Sequence, residues 1–157
     1  MHQDRSVPPV FVGGTGRSGT TIVGELIGAS EAYVLVPIEL RFHVDQGGLG
    51  DLAQDKVSVE QFEETVRRQW YRRPPNKGGP RGAHVILSPT ELDAAFDRLR
   101  TSEEADRWGA AGTFLNEVIE PLRLSCGAQS WVEMTPPNAK RANLLARMVP
   151  SAKFIHM

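Results

Sequence analysis

Cysteine, aromatic residues and long apolar runs are all scarce in this chain of 157 residues. The single cysteine, Cys126, cannot form an internal disulfide, which favours a reducing compartment and a packed rather than a nucleophilic side chain. No stretch approaches the roughly 18 consecutive apolar residues of a membrane-spanning helix. The first residues, MHQDRSVPP, lack the apolar core of a signal peptide. These absences predict a soluble, cytoplasmic protein.

A strong charge imbalance is also absent. The formal net charge is −1, so no global charge drives the chain toward nucleic acid or an acidic membrane. Hydrophobic residues make up 40% of the chain, which is ordinary for a globular protein. The length suits one domain, residues 1–157.

The amino-terminal part has the pattern of an α/β fold. Residues 9–13 read as a short buried strand, apolar residues recur at helical spacing over 22–27, and AYVLVP at 32–37 reads as a second strand. Strand, glycine loop, helix and strand in this order predict a βαβ unit. We therefore expect a parallel sheet with helices outside it.

Residues 50–125 predict a helical insertion. Ser58 with Gln61, three residues on, is a capping-box pattern, and Ser88 followed by Pro89 and Glu91 is a stronger one. We expect a further helix from about residue 103 to residue 123, bent near its proline. The proline- and glycine-rich segment RRPPNKGGPRG, 72–82, predicts an exposed, mobile loop.

The carboxy-terminal part, 131–157, returns to strand, helix and strand. SWVEM reads as a strand, and TPPNAKRANLLARM reads as a helix with Thr135 as its N-cap and Pro136 in its first turn. SAKFIHM reads as the last strand, with nothing after it. A strand usually leads into another element, so we expect a domain truncated at its carboxyl end.

The segment VFVGGTGRSGTT, residues 10–21, has the composition of an anion site. Glycines let the backbone approach a ligand closely, and a helix N-terminus offers unpaired N–H groups and a partial positive charge. Arg17 adds a forked, permanently charged donor, and Ser18, Thr20 and Thr21 add hydroxyl groups. The chemistry predicts a phosphate-like ligand.

Two known glycine motifs fit this segment in part. Gly14, Gly16 and Gly19 satisfy the dinucleotide pattern G-x-G-x-x-G, and Glu39 lies 20 residues after Gly19, where that fold needs an acid. Pro37 is expected to end the second strand before that acid. An NAD(P)-dependent oxidoreductase therefore stays open as an alternative.

The P-loop pattern fits less well at one position. Gly14, Gly19 and Thr21 have the required spacing, but Thr20 stands where the lysine belongs. Without that lysine, transfer of a terminal phosphoryl group has little support.

The stretch PVFVGGTGRSGTTIVGELI closely resembles the 5′-phosphosulfate-binding loop of sulfotransferases, particularly the tyrosylprotein and bacterial carbohydrate types. WVEMTPPNAKRANLLARMVPSAKFIHM is similar to the family's next block, a strand, a Thr-Pro helix start and a strand. The resemblance covers residues 9–42 and 131–157.

The resemblance implies a P-loop NTPase-like, three-layer α/β/α fold with 3′-phosphoadenosine 5′-phosphosulfate (PAPS) as sulfuryl donor and no metal. Arg17 would also neutralise charge on the transferred group. The donor-binding residues so implied are Gly14, Thr15, Gly16, Arg17, Ser18, Gly19, Thr20 and Thr21.

The resemblance also implies a base for the acceptor hydroxyl. Tyrosylprotein-type members carry a glutamate shortly after the second strand, and Glu39 holds a similar place, 22 residues after Arg17. His43 is the reserve candidate, because imidazole titrates near neutral pH. The acceptor class (carbohydrate, peptide or small molecule) and the oligomeric state stay open.

The chain departs from the family pattern in two places. Met134 stands where related members often carry a lysine, and the family's 3′-phosphate site begins past the last strand of this chain. A non-catalytic nucleotide-binding fragment is therefore a further alternative. The run from Arg67 to Gly82, basic and without an acid, either guides an anionic acceptor or forms a solvated surface.

Overall fold

The structure is a computed structural model that describes residues 6–157. The first five residues of MHQDRSVPP, the segment in which no signal peptide is predicted, lie outside the described residues. In chain order the elements are β1 (Val10–Gly13), α1 (Thr20–Gly28), β2 (Tyr33–Leu35), α2 (Leu49–Ala53), α3 (Val59–Thr65), a π-helical turn (Val66–Tyr71), β3 (Arg73–Asn76), β4 (Gly79–Arg81), a 3₁₀ turn (Ala83–Val85), α4 (Pro89–Ser102), α5 (Arg107–Ser125), β5 (Ser130–Glu133), α6 (Asn138–Met148) and β6 (Lys153–His156).

Four strands form one parallel sheet in the order β2-β5-β1-β6. Val10 of β1 lies opposite Val132 of β5 on one side and Lys153 of β6 on the other. The predicted parallel sheet is thus confirmed. Its carboxyl edge gathers the segments that follow β1, β2 and β5, where ligands bind in open parallel sheets.

Alternate residues of β1 face opposite sides of the sheet, as the two-residue strand period requires. Val10 and Val12 pack with Val132 under α1, whereas Phe11 joins the larger core on the other side with Trp131. The sheet therefore lies between α1 and the layer formed by the insertion and α6. The three-layer α/β/α prediction is confirmed.

Only half of the predicted apolar stripe of α1 is buried. Val23 and Ile27 pack against the sheet, but Ile22 is 63% exposed and Leu26 is 71% exposed. Gly28 brings the helix close to β2, because a Cβ there would come within 2.8 Å of the Leu35 Cβ. The buried face of α1 is consequently narrow.

Two helices of the insertion begin where the sequence predicts. Ser58 and Ser88 both form capping boxes, with Gln61 and Glu91 respectively, and Pro89 occupies the first turn. The last long helix starts later than expected, at residue 107, because the Asp106 side chain caps it by accepting from Gly109 N. Its proline lies inside the helix.

The segment 72–82, predicted to be a loop, is instead an antiparallel hairpin, and residues 74–78 are exposed as predicted. Arg73 in β3 pairs with Arg81 in β4. Gly79 and Gly82 have φ of 104° and 100°, which only glycine adopts easily, and a Cβ at Gly82 would come within 2.6 Å of Tyr71 O. The glycines that suggested a loop instead shape the turns of a hairpin.

Within the described residues, no helix combines the length and the apolar composition that crossing a membrane requires. The cytoplasmic location stays a prediction.

Gly112 provides a test of the packing between α5 and α6. A Cβ at this position would overlap the carbonyl oxygen of Met148 at the end of α6. Helix propensity alone would make Gly112→Ala stabilising by about 1 kcal/mol. Overpacking instead predicts a loss of about 1–3 kcal/mol in the free energy of unfolding, measured by urea denaturation.

The matched control for this measurement is Thr113→Ala, at an exposed position on the same helix. It should leave the free energy of unfolding unchanged or slightly higher. An equal gain for both variants would contradict the close approach of the two helices.

Candidate functional site

The glycine loop, residues 13–19, joins β1 to α1 at the carboxyl edge of the sheet. Its first turn is tied to the segment after β5, because Gly14 N donates to Pro136 O at 2.9 Å. Arg17 and Gly19 both lie in the left-handed region, with φ of 65° and 88°. A non-glycine residue rarely adopts this conformation, so the loop holds Arg17 in a strained backbone.

The loop leaves polar donors without partners among the described residues. No side chain of residues 6–157 caps the N-terminus of α1, and no acidic residue lies in its first turn. The Ser18 hydroxyl oxygen is buried and has no hydrogen-bond partner within residues 6–157. A buried polar group left unpaired is unfavourable, and an uncapped helix end offers unpaired N–H groups beside it, which is the arrangement that the predicted anion site requires.

Gly14 and Gly16 have different surroundings in the loop. A Cβ at Gly14 would lie 2.6 Å from Ser18 Oγ and 2.7 Å from Met157 O, so only glycine lets the loop fold over this hydroxyl. A Cβ at Gly16 would meet nothing within 4 Å. Gly16 therefore borders open space, which is where a ligand would approach the backbone.

A cleft of about 200 Å³ lies between the carboxyl edge of the sheet and the hairpin β3–β4. Glu39 lines it, 44% exposed at its side chain, with Oε2 at 3.2 Å from Arg41 Nη1. Arg41 also binds both carboxylate oxygens of Asp45, at 2.8 and 3.0 Å. The remaining lining residues are Pro37, Ile38, Arg73, Asn76, Gly78, Pro80, Arg81, Gly82 and Met134.

His43 lies in the interior, 1% exposed, and is not part of the cleft lining. Its Nε2 donates to Asn138 Oδ1 at 2.8 Å and lies 3.1 Å from Glu133 Oε2. Its Nδ1 is buried without a partner among the described residues. The structure thus separates the two base candidates, with Glu39 in the cleft and His43 inside.

The Glu133 carboxylate at the end of β5 is fully buried and is the centre of a polar cluster. It accepts from Leu40 N at 3.4 Å, from Thr135 N at 3.0 Å, from the Thr135 hydroxyl, and from Asn138 Nδ2 at 2.6 Å. Burial alone raises the pKa of the Glu133 carboxyl. The charge and hydrogen bond of His43, with the hydrogen bonds from Asn138 and Thr135, outweigh burial and hold the pKa below its usual value.

The predicted role of Thr135 as a helix N-cap is wrong. The helix begins at Asn138, its N-cap is Pro137, and no side chain caps it. The Thr135 hydroxyl donates to Glu133 instead, because the buried carboxylate needs donors that water cannot supply.

The cluster fixes the glycine loop relative to the cleft. Asn138 Nδ2 also donates to Val12 O at 3.1 Å, one residue before the end of β1. On the other side of the cluster, Leu40 and His43, which follow Glu39 in the chain, both contact the Glu133 carboxylate. β1 and β2 both neighbour β5, so their carboxyl ends lie about 10 Å apart. The loop and Glu39 are therefore held at the same edge of the sheet.

Sequence reasoning missed the cluster residues Glu133 and Asn138. One signal was available, a glutamate at the end of an otherwise apolar strand, SWVE, that is buried at all four positions. A charged residue in such a strand needs buried partners. The sequence could not name those partners, since His43 lies 90 residues away along the chain.

A parallel sheet with a glycine loop between its first strand and first helix defines the structure as a P-loop-like α/β fold. A sequence model of the sulfotransferase family matches residues 8–157. The chain belongs to the sulfotransferase family. No curated protein and no solved structure matched the chain. The predicted family and the P-loop-like fold are confirmed, and the family makes the chain a transferase.

The depressed pKa of Glu133 predicts how stability depends on pH. A carboxyl whose pKa is lower folded than unfolded stabilises the fold above its unfolded pKa, about 4.5, and this contribution is lost as the pH falls through the folded pKa. Glu133→Gln should reduce the free energy of unfolding by about 3–5 kcal/mol near neutral pH, because it leaves His43 without its buried partner. The deficit should shrink as the pH falls below about 4.5.

Denaturant titrations across this pH range measure the deficit. Glu31→Gln, at an exposed position between α1 and β2, is the control and should show no deficit at any pH. A constant deficit for Glu133→Gln down to the acid limit would show that the carboxylate is not held ionised by the cluster.

Proposed function

We propose that this chain transfers a sulfuryl group from PAPS to an acceptor hydroxyl. The observation that carries the proposal is the buried Ser18 hydroxyl, unpartnered among the described residues, beside the end of α1 that no described side chain caps, in a chain of the sulfotransferase family. A permanently charged side chain, Arg17, stands exposed in the same loop. Together they provide donors for an anionic group without any basic residue having to leave an existing ion pair.

The glycine loop is proposed to hold the phosphosulfate of the donor. Residues 14–21, in the loop and the first turn of α1, fit this group, because Gly16 leaves open space for close approach and the Ser18 hydroxyl has no partner among residues 6–157. When bound, the donor supplies a sulfuryl group attached to a phosphate leaving group. Backbone N–H groups at the start of α1 and the Arg17 guanidinium stabilise negative charge on the oxygens there.

The proposed reaction exchanges one sulfur–oxygen bond for another. The acceptor oxygen forms a bond to sulfur while the bond between sulfur and the 5′-phosphate oxygen breaks. The products are a sulfate ester and 3′,5′-adenosine bisphosphate, and the acceptor proton passes to a base. Positioning and electrostatic stabilisation supply most of the catalysis in such a transfer.

We propose Glu39 as the base. It lines the cleft with its carboxylate 44% exposed, so an acceptor hydroxyl can reach it. His43 is enclosed and uses its Nε2 within the buried cluster, so its proposed role is to hold Glu133 and the chain around residue 40 in place.

The oxidoreductase alternative receives less support. β2 ends at Leu35, four residues before Glu39, whereas a dinucleotide fold places its acid at the end of that strand. The non-catalytic alternative is separated from the proposal by turnover, since a fragment that only binds nucleotide would transfer nothing.

The first test of the proposal is Arg17→Ala. Alanine keeps the Cβ and hence the backbone strain at this position, so the change removes mainly the charge and its hydrogen bonds. We expect affinity for 3′,5′-adenosine bisphosphate and for adenosine 5′-phosphosulfate to fall about 10- to 100-fold in calorimetric titrations. Arg68→Ala is the matched control, on a side chain 65% exposed in the π-helical turn.

Unchanged nucleotide affinity in Arg17→Ala would remove the glycine loop from the donor site. Equal losses in both variants would indicate a general effect of net charge rather than a contact at Arg17.

The second test is Glu39→Gln, which keeps the size of the side chain and removes its basicity. We expect kcat for sulfuryl transfer to fall about 100-fold or more, while nucleotide affinity stays within about twofold of the unmodified chain. Turnover is measured with radiolabelled PAPS and a panel of hydroxyl acceptors.

Glu31→Gln serves as the control and should transfer at the unmodified rate. Undiminished turnover in Glu39→Gln would rule out Glu39 as the base. If the unmodified chain binds nucleotide but transfers to no acceptor, the non-catalytic alternative holds instead.

A further inference from the structure

Two arginines of the hairpin face the cleft beside Glu39. Arg73 and Arg81 are paired across β3 and β4, and both side chains are half-buried and line the cleft. Within residues 6–157 neither makes an ion pair, a side-chain hydrogen bond or a stacking contact with an aromatic ring. Arginines elsewhere do form ion pairs, namely Arg41, Arg67, Arg68, Arg98, Arg100, Arg107 and Arg123.

This arrangement is electrostatically unfavourable without a ligand. Burial lowers the pKa of Arg73, the charges of Arg81 and Arg41 lower it further, and the smaller effects of Glu39 and Asp45 offset this only in part. Two like charges facing each other across a hairpin repel, and cross-strand pairs of this kind reduce stability. An anion between the two guanidinium groups would relieve the repulsion and satisfy their donors.

The charge of the cleft selects a monoanion. Its lining contains two positive side chains and one negative side chain, Glu39, so a single negative charge neutralises it. A doubly charged phosphate would meet the Glu39 carboxylate without full compensation. The guanidinium fork matches the two oxygens of a carboxylate.

The size and position of the cleft limit the ligand further. A volume of about 200 Å³ lies below the range typical of sites for drug-sized molecules, so the cleft takes one residue-sized group. Met134 lines the cleft and also packs against α1 at Gly24, where a Cβ would lie 3.4 Å from the Met134 Cβ and Sδ. A molecule in this cleft therefore lies between the hairpin and the helix that follows the glycine loop.

We infer that the acceptor carries a carboxylate near its reactive hydroxyl, and that Arg73 and Arg81 bind this carboxylate while Glu39 faces the hydroxyl. The inference rests on the proposed function, since it assigns the cleft to the acceptor. The hydroxy acid can be free or the end of a longer chain, and the shared chemistry is one carboxylate and one hydroxyl on a residue-sized group.

The test observes the arginine side chains directly. In ¹H–¹⁵N spectra, the Nε–Hε signals of Arg73 and Arg81 are assigned by their loss in Arg73→Gln and Arg81→Gln. D-Glucuronate and 4-hydroxyphenylacetate are titrated as acidic probes, beside D-glucose and 4-hydroxyphenylacetamide as their neutral counterparts. We expect saturable shifts of both signals with at least one acid and none with its neutral counterpart.

The variants provide the second measurement. Arg73→Gln and Arg81→Gln should each weaken binding of that acid at least about fivefold, and Arg68→Gln should leave it unchanged. A response to glucuronate alone assigns the carboxylate to a sugar acid, and a response to the phenolic acid alone assigns it to an aromatic one. Either outcome supports the inference.

Three outcomes would overturn the inference. They are that neither acid shifts the two signals, that each acid and its neutral counterpart shift them equally, or that the acids shift only the signals of Arg17 and the amides of the glycine loop. The proposed function is tested separately in the same spectra, because 3′,5′-adenosine bisphosphate should shift the glycine-loop amides whatever the acids do. Failure of that titration concerns the donor site, and failure of the acid titrations concerns the acceptor class.

Discussion

The hydrogen bonds to the buried carboxylate of Glu133 are the interactions on which the arrangement of the site depends. A carboxylate with no exposed surface is tolerated only when donors surround it, and here those donors come from two stretches of chain. One is the segment around Leu40 and His43, and the other runs from the turn at Thr135 to the start of α6 at Asn138. Losing either would leave a buried charge incompletely compensated, so the two stretches are held together.

The position of this cluster explains how a short chain keeps the glycine loop and Glu39 at the same edge of the sheet. Asn138 links Glu133 to the carbonyl of Val12, and the glycine loop begins directly after that strand. Leu40 is held on the other side, next to Glu39. Hydrogen bonds to a charged group are stronger and more directional than apolar contacts, so they fix position where packing alone would allow sliding.

The features that sequence reasoning predicted correctly are those encoded locally. The glycine loop, the capping boxes at Ser58 and Ser88 and the parallel strand pattern each depend on residues within a few positions of one another. The family follows from the same local blocks, and its match over residues 8–157 agrees with it. The roles of Arg17 and Glu39 within that family stay predictions.

The features it could not predict are set by contacts distant along the chain. The sequence predicts a loop at the hairpin because loops and tight hairpins are both rich in glycine and proline. Only the close approach of Gly82 to Tyr71 in the structure distinguishes the hairpin from a loop. Thr135 has the sequence pattern of a cap, but the buried carboxylate takes its hydroxyl. In the basic segment, Arg67 is paired with acids on helices, whereas Arg73 faces the cleft, a division that no local pattern contains.

The left-handed backbone at Arg17 sets thermal stability against the proposed anion binding at one position. Glycine adopts a φ of 65° easily, whereas any residue with a Cβ loses roughly 1 kcal/mol or more there. A laboratory selection for heat resistance alone would therefore favour Arg17→Gly and discard the guanidinium. The chain carries an arginine at a position where folding by itself prefers glycine.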